Sequence, residues 1–177
     1  PMRVVVAMSA GVDWPVAPAL LAEQRHEVIG VSMQLYDQSD GATSFGSCCS
    51  IDDLHDARRV AAALNIPHYI MNFEKQFDST VVSNFVTEYA SGRTPLPCAH
   101  CNADLKFGTL AHRARAFEAD CVATGHYARV VRDEAAGRFL LKRGVDSAKD
   151  QAYFLFSLPQ AQVAHGCFPV GRRTKDV

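Results

Sequence analysis

Cys98 and Cys101 are separated by two residues and form the most chemically loaded pair in the chain. A Cys-x-x-Cys pair can act as a redox couple, as half of a zinc site, or as a nucleophile with a neighbour. No second such pair accompanies it, and a complete zinc site normally needs one, or histidines at regular spacing. The recurrence of Leu105, Leu110, Ala114 and Phe117 predicts a helix behind the pair, so both thiols are expected on an exposed loop, 92–102, that enters it. A thiol near a helix N-terminus readily supplies a thiolate. Cys101 lies nearer the expected helix start and is expected to be the more reactive of the two. The adjacent Cys48 and Cys49 cannot readily chelate one metal together and read as structural or incidental.

A second group is Ser9-Ala10-Gly11-Val12-Asp13-Trp14. It follows Val4-Val5-Val6-Ala7-Met8, a short β-branched run suited to a strand buried on both faces. It precedes the apolar-periodic Val16, Leu20 and Leu21. Strand, tight loop and helix can aim backbone N–H groups at a bound phosphate; the plainer alternative is an ordinary βα turn. With Asp13 as N-cap, Pro18 becomes the fifth helical residue, where a proline costs about 3 kcal/mol. His126, after Gly125, reads as a ligand contact or a core histidine. Lys149-Asp150-Gln151 reads as a phosphate contact or a solvated helix start.

The elements that must position these groups alternate. Strands are expected at 27–33, 68–73 and 121–124. Ser50 and Asp53 predict a capping box before a helix whose stripe is Leu54, Ala57, Ala61 and Leu64. Phe77, Val81, Phe85 and Tyr89 predict a long helix ending near Gly92. A hairpin is expected from 128–131 and 139–142 around Asp133 to Gly137. Residues 150–156 read as helical, and Ser157 with Gln160 as a second capping box. Such alternation implies an α/β fold with a mainly parallel sheet covered on both faces, and ligands beyond the carboxyl ends of its strands. The loops after the first, second and fourth strands are expected to meet there.

Composition sets the outer bounds. The 177 residues are 48% hydrophobic and 21% charged, with a net charge of −1, which fits one soluble globular domain. A wholly basic surface is excluded, so any nucleic acid must meet a local patch. No apolar run has the length of a membrane span, and six cysteines without a secretory signal suggest a reducing, cytoplasmic setting.

The loop 9–14 resembles the pyrophosphate loop Ser-Gly-Gly-x-Asp-Ser of N-type ATP pyrophosphatases. The wider sequence resembles the tRNA-specific 2-thiouridylases (tRNA-uridine 2-sulfurtransferases) within that group. The blocks that carry it are Val31-Ser32-Met33-Gln34-Leu35, Gly92-Arg93-Thr94-Pro95, Cys98-Ala99-His100-Cys101-Asn102, Ala123-Thr124-Gly125-His126-Tyr127, Asp146-Ser147-Ala148-Lys149-Asp150-Gln151 and Phe168-Pro169-Val170-Gly171. This resemblance implies a Rossmann-like, adenine nucleotide alpha hydrolase-like fold, with 1–177 forming the N-terminal catalytic domain only. It implies ATP at Ala7, Met8, Ser9, Ala10, Gly11, Val12, Asp13, Trp14, Met33 and Gly125, with Mg²⁺ near Asp13. For Met33, core packing is the plainer role. It further implies tRNA at Leu96, Pro97, Cys98, His126, Lys149, Asp150 and Gln151.

The catalytic set implied is Cys101, Cys98 and Asp13. Cys101 matches the family cysteine that attacks or pairs with a persulfide. Cys98 occupies a position that is Asp in some relatives and Cys in others, and the latter makes an iron–sulfur cluster conceivable. The implied partners are tRNA and a persulfide donor, either a sulfur carrier or a cysteine desulfurase. The family's second catalytic cysteine lies past Gly171, beyond the present sequence, so this chain alone is not expected to thiolate tRNA over repeated turnovers. The loop departs from the family at Ala10, where the pattern has Gly, and at Trp14, where it has Ser.

Overall fold

Val4, Val5 and Val6 are fully buried because the strand they form has no solvent face. They belong to β1 (Arg3–Ala7), the centre of a parallel sheet. The computed structural model describes residues 1–8, 13–37 and 50–175. Around β1 stand β2 (Glu27–Gln34), β3 (His68–Asn72), β4 (Cys121–Ala123) and β7 (Gly166–Cys167), in the order β3-β2-β1-β4-β7. Every pairing in that sheet is parallel. Alternation along β1 feeds two cores. Val5 and Ala7 join Val31, Met33, Phe73, Leu105 and Leu110 on one face. Val4, Val6 and Met8 join Trp14, Leu20, Leu21, Ala57 and Ala61 on the other. Both faces are covered, as a parallel sheet requires.

The helices that do the covering are α1 (Val16–Glu23), α2 (Ile51–Ala63), α3 (residues 74–90), α4 (residues 97–117) and α5 (Gln160–Ala164). Helix α2 opens on the expected capping box, with Ser50 Oγ accepting from the Asp53 N–H and the Asp53 carboxylate accepting from the Ser50 N–H at 2.8 Å. Within α3 and α4 the hydrogen-bond ladder widens to π-type over Asp78–Val82 and Cys101–Leu110. The antiparallel pair β5 (Ala128–Asp133) and β6 (Arg138–Arg143) forms the expected hairpin beside the sheet.

Four local expectations are corrected. The N-cap of α1 is Pro15 rather than Asp13, so Pro18 is the third helical residue. A first-turn N–H has no intrahelical partner, and its absence there costs nothing. Second, Cys98 and Cys101 lie inside a helix and not on a loop, because Pro97 takes the first helical position of α4. Cys98 is therefore nearer the helix start than Cys101. Third, α5 is capped by Pro159 with no side-chain bond, and no capping box forms with Ser157. The Gln160 amide instead joins both backbone groups of Phe139, at 3.0 and 2.9 Å. Fourth, the helix expected over 150–156 shortens to a 3₁₀ turn, Ala152–Leu155.

Candidate functional site

The strand order reverses at β1, with β2 and β3 added on one side and β4 and β7 on the other, and ligands of such sheets settle at that switch point. The loops after β1 and β4 touch there. A Cβ on Gly125 would sit 3.1 Å from the Trp14 Cα, so the close approach of the two backbones favours glycine. Trp14 is only 8% exposed and packs in the core cluster that includes Tyr127 and Val170. Ser9, Ala10, Gly11 and Val12 lie outside the described residues. Ala7, Met8 and Met33 are buried, with Met33 in the core as its plainer reading supposed.

Asp13 is not solitary. Its Oδ2 accepts from the Lys175 Nζ at 3.0 Å, and the Lys175 N–H donates to Asp146 Oδ2 at 3.1 Å. The Tyr127 hydroxyl lies in the same field. Burial raises its pKa first, Asp13 and Asp146 raise it further, and Lys175 opposes them. Lys175 escaped sequence reasoning because its contact with Asp13 spans 162 positions. Its only advance signal is a cation shortly after Phe168-Pro169-Val170-Gly171.

His126 follows Gly125. Its Nδ1 lies 2.7 Å from Thr124 Oγ1, and its ring meets Phe168 edge-on at 6.3 Å. Burial, with Lys106 adding a like charge, pushes its pKa down to about 3. The imidazole is therefore neutral near pH 7 and suited to a neutral hydrogen bond rather than to ion pairing. Lys106, on α4, is a second nearby cation that periodicity did not single out.

Cys98 is exposed and Cys101 half-buried, on the first turns of α4. Leu96 is the N-cap and Pro97 the first helical residue. Among the described residues Cys98, Cys101, Cys121 and Cys167 form no disulfide, and Cys48 and Cys49 lie outside the described residues. Among the described residues no group of three or more His, Cys, Asp or Glu could hold a metal, so the Cys98–Cys101 pair lacks a third ligand for an iron–sulfur cluster there.

The segment after β6 ties these parts together. Gln151 exchanges two hydrogen bonds with the Tyr127 backbone, each 3.0 Å, and the Asn102 amide on α4 donates to the Phe154 carbonyl at 3.0 Å. Asp150 serves its own chain, accepting from the Gly144 and Ala152 N–H groups at 3.1 and 3.2 Å. Lys149 is exposed. A cavity lined by His112, Arg115, Cys121 and Gln162 opens at the amino end of β4, away from Asp13.

The five-stranded parallel sheet, with its strand order turning at β1 and helices on both faces, defines an α/β domain of the Rossmann-like, adenine nucleotide alpha hydrolase-like class. The family model described as the tRNA methyl transferase HUP domain matches residues 2–177, and the chain belongs to that family. It is 55% identical over 177 residues to the tRNA-specific 2-thiouridylase MnmA of Geotalea uraniireducens, covering 98% of this chain and 47% of that protein. It is 53% identical to the protein of the same name from Geobacter metallireducens, covering 98% and 48%. The chain thus spans about half the length of these relatives. Among solved structures, a predicted subunit of tRNA methyltransferase from Methanocaldococcus jannaschii shares the fold. Its TM-score is 0.53 at 14% identity, over 99% of this chain and 73% of that one. Among the described residues no helix is long and apolar enough to cross a membrane.

Proposed function

We propose that residues 1–177 form the catalytic domain of a tRNA-uridine 2-sulfurtransferase. ATP adenylates the C2 oxygen of the wobble uridine and releases pyrophosphate; a persulfide sulfur then displaces AMP. The observation that carries this reading is identity of about 50% with 2-thiouridylases across the whole chain. The contact between Gly125 and the Asp13-Trp14 backbone supports it, since it joins the loops that would flank a nucleotide. Asp13 offers an oxygen ligand suited to Mg²⁺, which would offset phosphate charge. Lys175, already on Asp13, is well placed to turn toward an incoming phosphate. Cys101 is the proposed catalytic thiol with Cys98 beside it, and Leu96, Pro97, His126, Lys149 and Gln151 are the proposed tRNA contacts. In the free domain Asp150 and Gln151 also hold the segment that presents them.

A second reading, a catalytically silent nucleotide- or tRNA-binding domain, is favoured by one observation. The indole of Trp14 is built into the core at the position where the family's loop carries a serine hydroxyl. Trp14 is the sole tryptophan, so its emission reports directly on this corner. Titration with Mg-ATP should change that emission saturably, weakly without Mg²⁺, and not at all in Asp13→Asn. Ala10→Gly, which restores the loop's glycine and with it one hydrogen bond of roughly 1.5–3 kcal/mol, should tighten binding by roughly ten- to a hundredfold. An unaltered affinity in Asp13→Asn would remove Asp13 from the proposed site.

A further inference from the structure

We propose that Tyr153 and Phe156 form a stacking platform for unpaired RNA bases beside the cysteine helix. This inference rests on the tRNA reading above and adds a site to it. The two rings are 66% and 64% exposed, yet they are not loose. They stack on each other at 5.8 Å with 29° between their planes, and Phe154 abuts Tyr153 edge-on at 6.0 Å. The turn that carries them is pinned from beneath: Leu155 is buried in the core, Asn102 of α4 holds the Phe154 carbonyl, and Gln151 brackets Tyr127. Aromatic faces fixed in place and open to solvent are what base stacking uses, because every base has a π-face.

Charge decides the kind of partner. Lys149 is exposed four positions before Tyr153. The Arg143 side chain is 86% exposed and only 3.4 Å from Asp150 Oδ2. The other oxygen of Asp150 accepts from the Gly144 and Ala152 N–H groups, so this carboxylate is occupied by its own chain. Cations beside open aromatic rings suit a single-stranded nucleic acid. A second exposed aromatic pair, Phe85 and Tyr89 on α3, differs. It is surrounded by Val82 and Val86, and Arg93 nearby is held by both oxygens of Glu88. The Ala152–Leu155 turn, which carries Tyr153 and leads into Phe156, packs against the first turn of α4, the turn that holds the exposed Cys98. A base stacked there lies on the approach to the thiols.

The test is fluorescence anisotropy of the 177-residue chain with a labelled, unmodified anticodon stem–loop, with a short oligouridylate, and with a fully paired RNA duplex. In Tyr153→Leu/Phe156→Leu the bulk is kept and the aromatic faces are lost. Affinity for the stem–loop and the oligouridylate should fall roughly five- to hundredfold, with the duplex unchanged. Photocrosslinking of 5-iodouridine in the stem–loop to the unsubstituted chain should map to Tyr153 or Phe156, whatever the variant's folding. If the unsubstituted chain binds no RNA, the tRNA reading and the platform fall together. If it binds, and the variant binds equally with crosslinks elsewhere, the platform alone is overturned. A dimer seen by sedimentation and lost in the variant, with RNA affinity unchanged, assigns the face to a second copy and also overturns it.

Discussion

His126 is the residue whose environment has the clearest consequence. Its folded pKa of about 3 lies below the ordinary 6.5, first because of burial and then because of Lys106. Between those values the unfolded chain binds a proton there that the folded chain does not. The stabilisation is complete above pH 6.5 and is lost as pH falls toward 3, with a slope of at most about 1.4 kcal/mol per pH unit. Urea unfolding across that window should show His126→Asn with a flatter dependence than the unsubstituted chain. At the cysteine pair, exposure reverses the order expected from sequence. Cys98 is solvent-exposed on the first turn while Cys101 is half-buried one turn on. Limiting iodoacetamide followed by peptide mapping should label Cys98 several-fold faster. Preferential labelling of Cys101 would mean that activation outweighs access.

At the scale of elements, α1 and the 3₁₀ turn Pro169–Arg172 make opposite demands. Pro18 sits in the first turn of α1 with its ring buried. Pro18→Ala should therefore not stabilise the helix: it frees the unfolded chain and removes buried surface, costing about 1 kcal/mol and a few degrees of Tm. Gly171 tolerates even less, because a Cβ there would fall on the Ala128 carbonyl oxygen. Gly171→Ala should cost more than about 2 kcal/mol by chemical denaturation. The same elements explain what was legible beforehand. Buried β-branched runs announced β1 and β2, and Ser50 with Asp53 announced α2, because those signals are local. The start of α4 was misread because Pro95 and Pro97 look like loop residues until Pro97 is known to hold the first helical position, where its missing N–H is harmless. Phe85 and Tyr89 continue the stripe of Phe77 and Val81 but are exposed, so the spacing marked the helix and not how far its buried face extends.

For the whole molecule, the α/β class and the parallel sheet covered on both faces followed from alternating strands and helices. The electrostatics at the carboxyl end of β1 did not. Asp13, Lys175 and Asp146 come from opposite ends of the chain and have no periodicity in common. Their geometry makes Asp13 a carboxylate with a resident counter-charge, which Mg²⁺ and a triphosphate would have to rearrange. ATP chemistry is accordingly expected to depend on Asp13 and on tRNA together. The direct measurement is pyrophosphate release from Mg-ATP by this chain, with and without unmodified tRNA carrying uridine at the wobble position. Stoichiometric release that requires the tRNA and disappears in Asp13→Asn is the predicted result. No release while Mg-ATP and tRNA both bind, or release indifferent to tRNA, would contradict it.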